Sequence, residues 1–167
     1  MKHIQKKGLV ILACITLLAA MLLCGCQQTP AGDSSNGYTI TIKGLELAIG
    51  QTLDDVQGAY GAPVAYDESA SCGGIPGKDY VYQYTGFTVK TTPAEGGKNV
   101  ICLIELTDDT YETAEGLTIG STADAVKKAM GNTDTATPTS LVYTKADMKL
   151  QFILRDGVVT NIQYLTK

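Results

Sequence analysis

The sequence predicts an α+β fold built as a tandem repeat, each copy a short helix followed by a three-stranded antiparallel meander. Three observations predict it. Residues 47–61 and 117–131 share the frame Leu-x-Ile-Gly-x-Thr-x-Asp-x-Val-x-x-Ala-x-Gly, with eight of fifteen positions identical. Every matched pair lies 70 residues apart, as Ile49 and Ile119 do. A repeat of this kind sets the architecture before any chemistry is considered. Each frame is then followed by alternating apolar runs broken by glycine-bearing turns, the pattern of paired strands. Finally, aligning Ile104 with Ile162 also brings Val100 onto Val158, so the match reaches the last strand of each copy.

The chain opens with a targeting pattern. Lys2, Lys6 and Lys7 precede residues 9–23, which carry no charge. That stretch suits a secretory apolar region and is short for a membrane span. Leu23-Cys24-Gly25-Cys26 follows and resembles the bacterial lipobox, Leu-x-Gly-Cys. The resemblance implies a signal peptide over residues 1–25, lipidation of Cys26, and a lipid-anchored protein on the extracytoplasmic face of the cell membrane. Two or more acyl chains on Cys26 would hold it there stably, where a single chain would not. Residues 26–37 are polar, with Pro30 and two glycines, and read as a flexible tether.

Repeat 1 covers residues 38–116 and repeat 2 residues 117–167. An extra strand, 38–43, leads into the first. Thr52 is placed to cap a helix, and Asp55 completes a capping box. Leu53, Val56 and Tyr60 share one helical face; Gly61 and Pro63 end it. Strands are expected at 80–84, 87–91 and 100–107, with turns at Gly86 and at residues 95–97. In the second copy Thr122 caps, Ala123, Val126 and Met130 form the face, and Gly131 stops it. Strands follow at 140–144, 149–154 and 158–165, the last two joined by the turn Arg155-Asp156-Gly157. The two copies either share one sheet or abut as two.

Strict alternation puts Val100, Cys102, Ile104 and Leu106, with Val158, Thr160, Ile162 and Tyr164, on the helix-facing side. The opposite side then carries Ile101, Leu103 and Glu105 in the first copy, against Val159, Asn161 and Gln163 in the second. Ile101 and Leu103 make that surface more apolar than a solvated sheet requires. Tyr80, Tyr82 and Tyr84 share one side of their strand, and tyrosine favours interfaces because it buries area and keeps a polar tip. These five are the candidate protein-binding residues; the tyrosines also fit half-buried sheet positions.

Ile49, Gly50, Thr52, Val56, Gly61 and Pro63, followed by a β-meander, resemble the small lipoprotein of the outer-membrane barrel assembly machinery. Doubling of the unit within 130 residues resembles the β-lactamase inhibitory protein. Residues 71–120, with SCGG, KDYVYQY and ELTDDTYETAEGL, resemble uncharacterised lipoproteins of Gram-positive anaerobes. These resemblances imply a module that binds proteins and catalyses nothing.

Composition points the same way. Removing residues 1–25 takes away three lysines and no acids, and moves the net charge from −4 to −7. Arg155 is the single arginine, so no basic stripe exists for nucleic acid. The only histidine, His3, lies in the signal segment. Histidine-dependent triads and His-bearing zinc sites are therefore excluded from the mature chain, and no cofactor or metal is expected. Asp54 and Asp124 recur in both copies, but first-turn acids serve the helix dipole. Asp108 and Asp109, with Glu105 or Glu112, could ligate calcium or simply turn the chain; no twelve-residue calcium loop accompanies them. Lys127 and Lys128 read as a solvated helix face. Cys72 and Cys102 form an even pair in an exported chain, a candidate disulfide, while Cys102 also suits a buried free thiol. The Ser71-Cys72-Gly73-Gly74 loop shows no neighbouring base or cation to activate its thiol. The expectation is thus a membrane-anchored, non-enzymatic adaptor or inhibitor-like module with another envelope protein as partner. The alternative is an envelope lipoprotein that binds a small molecule, ion or glycan.

Overall fold

The computed structural model describes residues 37–52 and 56–167. The expected signal peptide, the expected lipidation site Cys26, most of the expected tether, and Leu53, Asp54 and Asp55 lie outside the described residues. Ten strands and two helices follow in the order β1 (Thr39–Ile42), β2 (Leu45–Ala48), α1 (Val56–Tyr60), β3 (Ala65–Ala70), β4 (Lys78–Tyr84), β5 (Phe87–Pro93), β6 (Asn99–Leu106), α2 (Ala123–Met130), β7 (Thr135–Thr137), β8 (Ser140–Lys145), β9 (Met148–Arg155) and β10 (Val158–Thr166). No helix among the described residues is long and apolar enough to cross a membrane.

This corrects the expected fold. The α+β tandem of two helix-plus-three-strand units is overturned: the described residues are mainly β, with two short helices, an antiparallel sheet of eight strands and a separate two-stranded hairpin. The sheet runs β3-β4-β5-β6-β10-β9-β8-β7. The unexpected strands are β3 (AYDESA) and β7 (TAT), neither of which buries a residue, and β2, which pairs with β1 in a separate hairpin. Edge strands that bury no side chain show no apolar alternation, so sequence periodicity passes over them.

The sheet is joined at its centre by β6 and β10, where Glu105 stands opposite Gln163. The alignment that places Ile104 on Ile162 also places Glu105 on Gln163, so these two occupy matching positions in the two halves. A local two-fold therefore passes through the seam. The loops before the helices obey it. Gly50 N–H donates to the Ile101 carbonyl at 2.7 Å, and Gly120 N–H to the Val159 carbonyl at 2.9 Å. Ile101 N–H returns to Gln51, and Val159 N–H to Ser121, both at 2.9 Å. Gly50 and Gly120 have φ of 82° and 91°, a region that admits glycine freely and strains other residues; this is why the repeat frame keeps both. In α2, Thr122 accepts from Ala125 N–H as the cap, and Gly131 N–H closes on Lys127 O.

One face of the sheet forms the core. Phe87, Val89, Ile104, Leu106, Leu150, Phe152, Ile162 and Tyr164 are buried there with Ile40, Ile42 and Leu47 of the hairpin, Val56 and Tyr60 of α1, and Val126 of α2. Tyr60 meets Phe87 edge-on, ring centroids 5.2 Å apart. The helices are too short to stand alone and depend on this packing.

Candidate functional site

The other face of the sheet is covered by none of the described elements, and its side chains are half-exposed. Which residues reach it is decided by two β-bulges. Between β5 and β6 the register steps from Lys90↔Leu103 to Thr91↔Ile101, leaving Cys102 as the extra residue. Between β9 and β10 it steps from Asn161↔Ile153 to Val159↔Leu154, leaving Thr160 extra. Cys102 and Thr160 are matching residues of the two halves. Their side chains do the same thing: Cys102 Sγ donates to Lys90 O at 3.4 Å, and Thr160 Oγ1 to Ile153 O at 3.4 Å.

An extra residue reverses the alternation beyond it. Ile101 and Val159, expected on the outer face, are instead buried, at 0% and 1% exposed. Val100, Cys102, Val158 and Thr160, expected in the core, are displaced from it. Ile101 therefore cannot contact a partner, whereas Leu103 keeps its place on the open face. Tyr80, Tyr82 and Tyr84 do share a side, but it is the core side, since Tyr82 pairs with Val89 and Tyr84 with Phe87. Tyr84 is buried and donates to Gly61 O at 3.1 Å, which removes it as a binding residue. Tyr80 and Tyr82 stay half-exposed, Tyr82 packing against the core.

The open face has a polar centre with apolar flanks. At the seam Glu105 accepts from Asn161 Nδ2 at 3.0 Å and from Gln163 Nε2 at 2.9 Å. Leu103 lies opposite Leu165 across the β6–β10 pair. Val81, Ile153 and Val142 continue the same face outward. On the β4–β5 side Asp79 accepts from Thr92 Oγ1 at 2.8 Å and faces Lys90 Nζ at 3.7 Å. Burial pushes the Asp79 carboxyl up, but hydrogen bonds from Thr92 and Ser71 and the Lys90 charge outweigh it, leaving the group below its usual range.

The remaining candidates separate. Cys72 and Cys102 are free thiols, so the disulfide is not formed: Cys72 sits exposed in the loop after β3, and Cys102 is held in the bulge. Burial pushes the Cys102 thiol up, only partly countered by Lys90. Asp108 accepts from Thr110 N–H at 2.9 Å, a turn role. No group of three or more His, Cys, Asp or Glu suited to a metal ion occurs among the described residues. Lys127 and Lys128 are exposed on α2. The described residues also form open clefts, two of them of similar size. One, of about 490 Å³, lies between the β1–β2 hairpin and residues 110–114. The other, of about 470 Å³, is lined by Ile49, Val100, Cys102 and Met148 among others.

No protein-family model matches this chain, and no curated protein matches it. Among solved structures, a DUF4309 family protein (YjgB) from Bacillus subtilis subsp. subtilis strain 168 is similar, at 18% sequence identity and a TM-score of 0.42. The match covers 70% of this chain and 79% of that one. A likeness of that size carries no information about activity or partner.

Proposed function

We propose that this protein is a lipid-anchored, non-catalytic binding module of the cell envelope that holds another envelope protein on the open face of its sheet. The observation that carries the reading is the size and make-up of that face. Eight strands about 4.8 Å apart make a surface about 34 Å wide, and the central strands run about 20–30 Å. That is on the order of 700 Å², close to the ~800 Å² each partner contributes to a standard specific interface. Its apolar residues, Leu103, Leu165, Val81, Ile153 and Val142, surround Glu105, whose Oε1 accepts from Asn161 and Gln163. The other amide and carboxylate atoms of this centre can bond a partner's polar groups, so an apolar contact gains a polar register point. Cys26 supplies the anchor, and the acidic mature chain gains nothing from an anionic bilayer.

The test is in-cell crosslinking of the full-length protein in its own membranes, with wild type beside a Leu103→Ser/Leu165→Ser double variant. Both residues are half-exposed, so the melting temperature should fall by only a few degrees while capture of one stoichiometric partner is lost. Undiminished capture would reject the open face as the contact surface. Cys26→Ser should move the protein from the membrane fraction to the soluble one. The small-molecule reading is favoured by the cleft of about 470 Å³ beside Met148, a volume in the usual ligand range. It predicts ligand-induced stabilisation that the double variant leaves intact.

A further inference from the structure

The two halves of the sheet end differently. Counting outward from Tyr84 and its counterpart Tyr143, the cross-strand pair Tyr66–Tyr82 matches Ala136–Leu141. The second half closes there with the three residues of β7, whereas the first continues as a ribbon: β3 has six residues, β4 seven, and the loop 71–77 joins them. The fold is completed without this extension in one half, so the extension in the other is an added surface.

The edge that carries this extension is rich in apolar and aromatic groups. Val64, Tyr66 and Ile75 are 79%, 45% and 36% exposed, three of the five exposed large hydrophobic residues among those described. Tyr66, Tyr80 and Tyr82 form a cluster with ring centroids 5.3–6.3 Å apart. Tyr66, Tyr80 and Tyr82 thus form one aromatic patch along the edge, with Val64 and Ile75 beyond the two ends of β3; a contiguous patch of this kind marks an interaction site.

The outer edge of β3 also has no strand partner among the described residues. Ser71 N–H donates to Gly77 O, and inward bonding alternates along an antiparallel pair. Residues 69, 67 and 65 therefore bond toward β4, and Tyr66, Glu68 and Ala70 direct N–H and C=O away from the sheet. We propose that this edge takes up an extended, basic segment of a partner protein as an added strand, with Tyr66, Tyr80 and Tyr82 receiving its apolar side chains. The inference rests on the protein-binding reading and adds the chemistry of a partner at a separate surface.

Charge chooses the occupant. On this ribbon Glu68 is paired with Lys78 and Asp79 with Lys90, which leaves Asp67, exposed on the edge strand, without an ion-pair partner among the described residues. A second copy is disfavoured: the antiparallel registers that overlap most of β3 place Asp67 opposite Asp67, or Glu68 opposite Glu68. Like charges directly opposite weaken a strand pair. A lysine- or arginine-bearing strand meets the same positions favourably, and main-chain bonds with alternate side-chain contacts are how strand addition works.

The test uses the full chain in detergent micelles with a synthetic peptide of four Lys-Val repeats, read by amide hydrogen exchange. The peptide should slow exchange at Tyr66, Glu68 and Ala70, and a Glu-Val peptide should not. Ala70→Pro removes an outward N–H and no internal bond, and should weaken peptide binding by about tenfold. Asp67→Lys should shift the preference toward the Glu-Val peptide. The proposal is overturned if those amides are not protected, if both peptides protect equally, or if neither variant changes binding. Protection in the absence of peptide that rises with protein concentration would assign the edge to a second copy instead. The Leu103→Ser/Leu165→Ser variant should bind the peptide as wild type does. Peptide failure alongside intact partner capture would reject the strand-addition site and leave the open-face reading standing.

Discussion

Replacing Ile101 and Leu103 separately by Ala tests the bulge at Cys102. The two residues are two apart on β6, so strict alternation puts them on one face, and the bulge puts them on opposite faces. Ile101 is 0% exposed. Truncation to Ala removes three carbons, about 2.4 kcal/mol at ~0.8 kcal/mol per buried group. The cavity left behind brings the expected cost to about 3–4 kcal/mol. Against a typical total of 5–15 kcal/mol this is a large fraction. It corresponds to a fall in melting temperature of about 10–15 °C for a domain of this size. Leu103 is half-exposed and should cost about 1 kcal/mol. Equilibrium urea unfolding gives both values, since neither change alters the slope of the transition. Equal costs, or a larger cost at Leu103, would refute the bulge and restore Ile101 to the surface. The second half supplies the control: Val159→Ala should be costly and Val158→Ala nearly neutral.

Other outcomes follow from the same geometry. Alkylation without reductant should add two groups, at Cys72 quickly and at Cys102 much more slowly, because the latter is half-buried and its thiol is pushed up by burial; an unreactive pair would show a disulfide. Glu105→Ala leaves the Asn161 and Gln163 amides without their acceptor and should cost about 1–2 kcal/mol, measured by urea unfolding. Asp79 is held below its usual 3.8 in the folded protein. Its stabilisation is therefore complete above that value and is lost as pH falls through the lower folded one. Amide exchange in β3 to β5 should accelerate below about pH 4, and Asp79→Asn should remove that part of the pH dependence.

Local rules made much of this protein legible in its sequence. The repeat frame marked Gly50 and Gly120 because a positive φ restricts the residue wherever the turn recurs. Thr122 and Gly131 marked the ends of α2 because capping is satisfied within a few residues. The apolar strands of the core declared themselves through alternation, as Phe87 and Val89 do. The candidate site was less legible. Leu103 was placed correctly, but Ile101 and Tyr84 were not, since the first depends on a bulge and the second on which layer covers the far end of its strand.

By itself the sequence determined the acidic balance, the confinement of its single histidine to position 3 and the duplicated frame, and it carries the lipobox-like pattern at Cys26; all of these are properties of composition or of neighbours along the chain. Only the tertiary structure decided that the two halves share one eight-stranded sheet, that Cys102 and Thr160 reverse its faces, and that β3 is its edge strand among the described residues. Each of those is set by pairing between residues distant in sequence. Register, bulges and edges exist only once a second strand is present to define them.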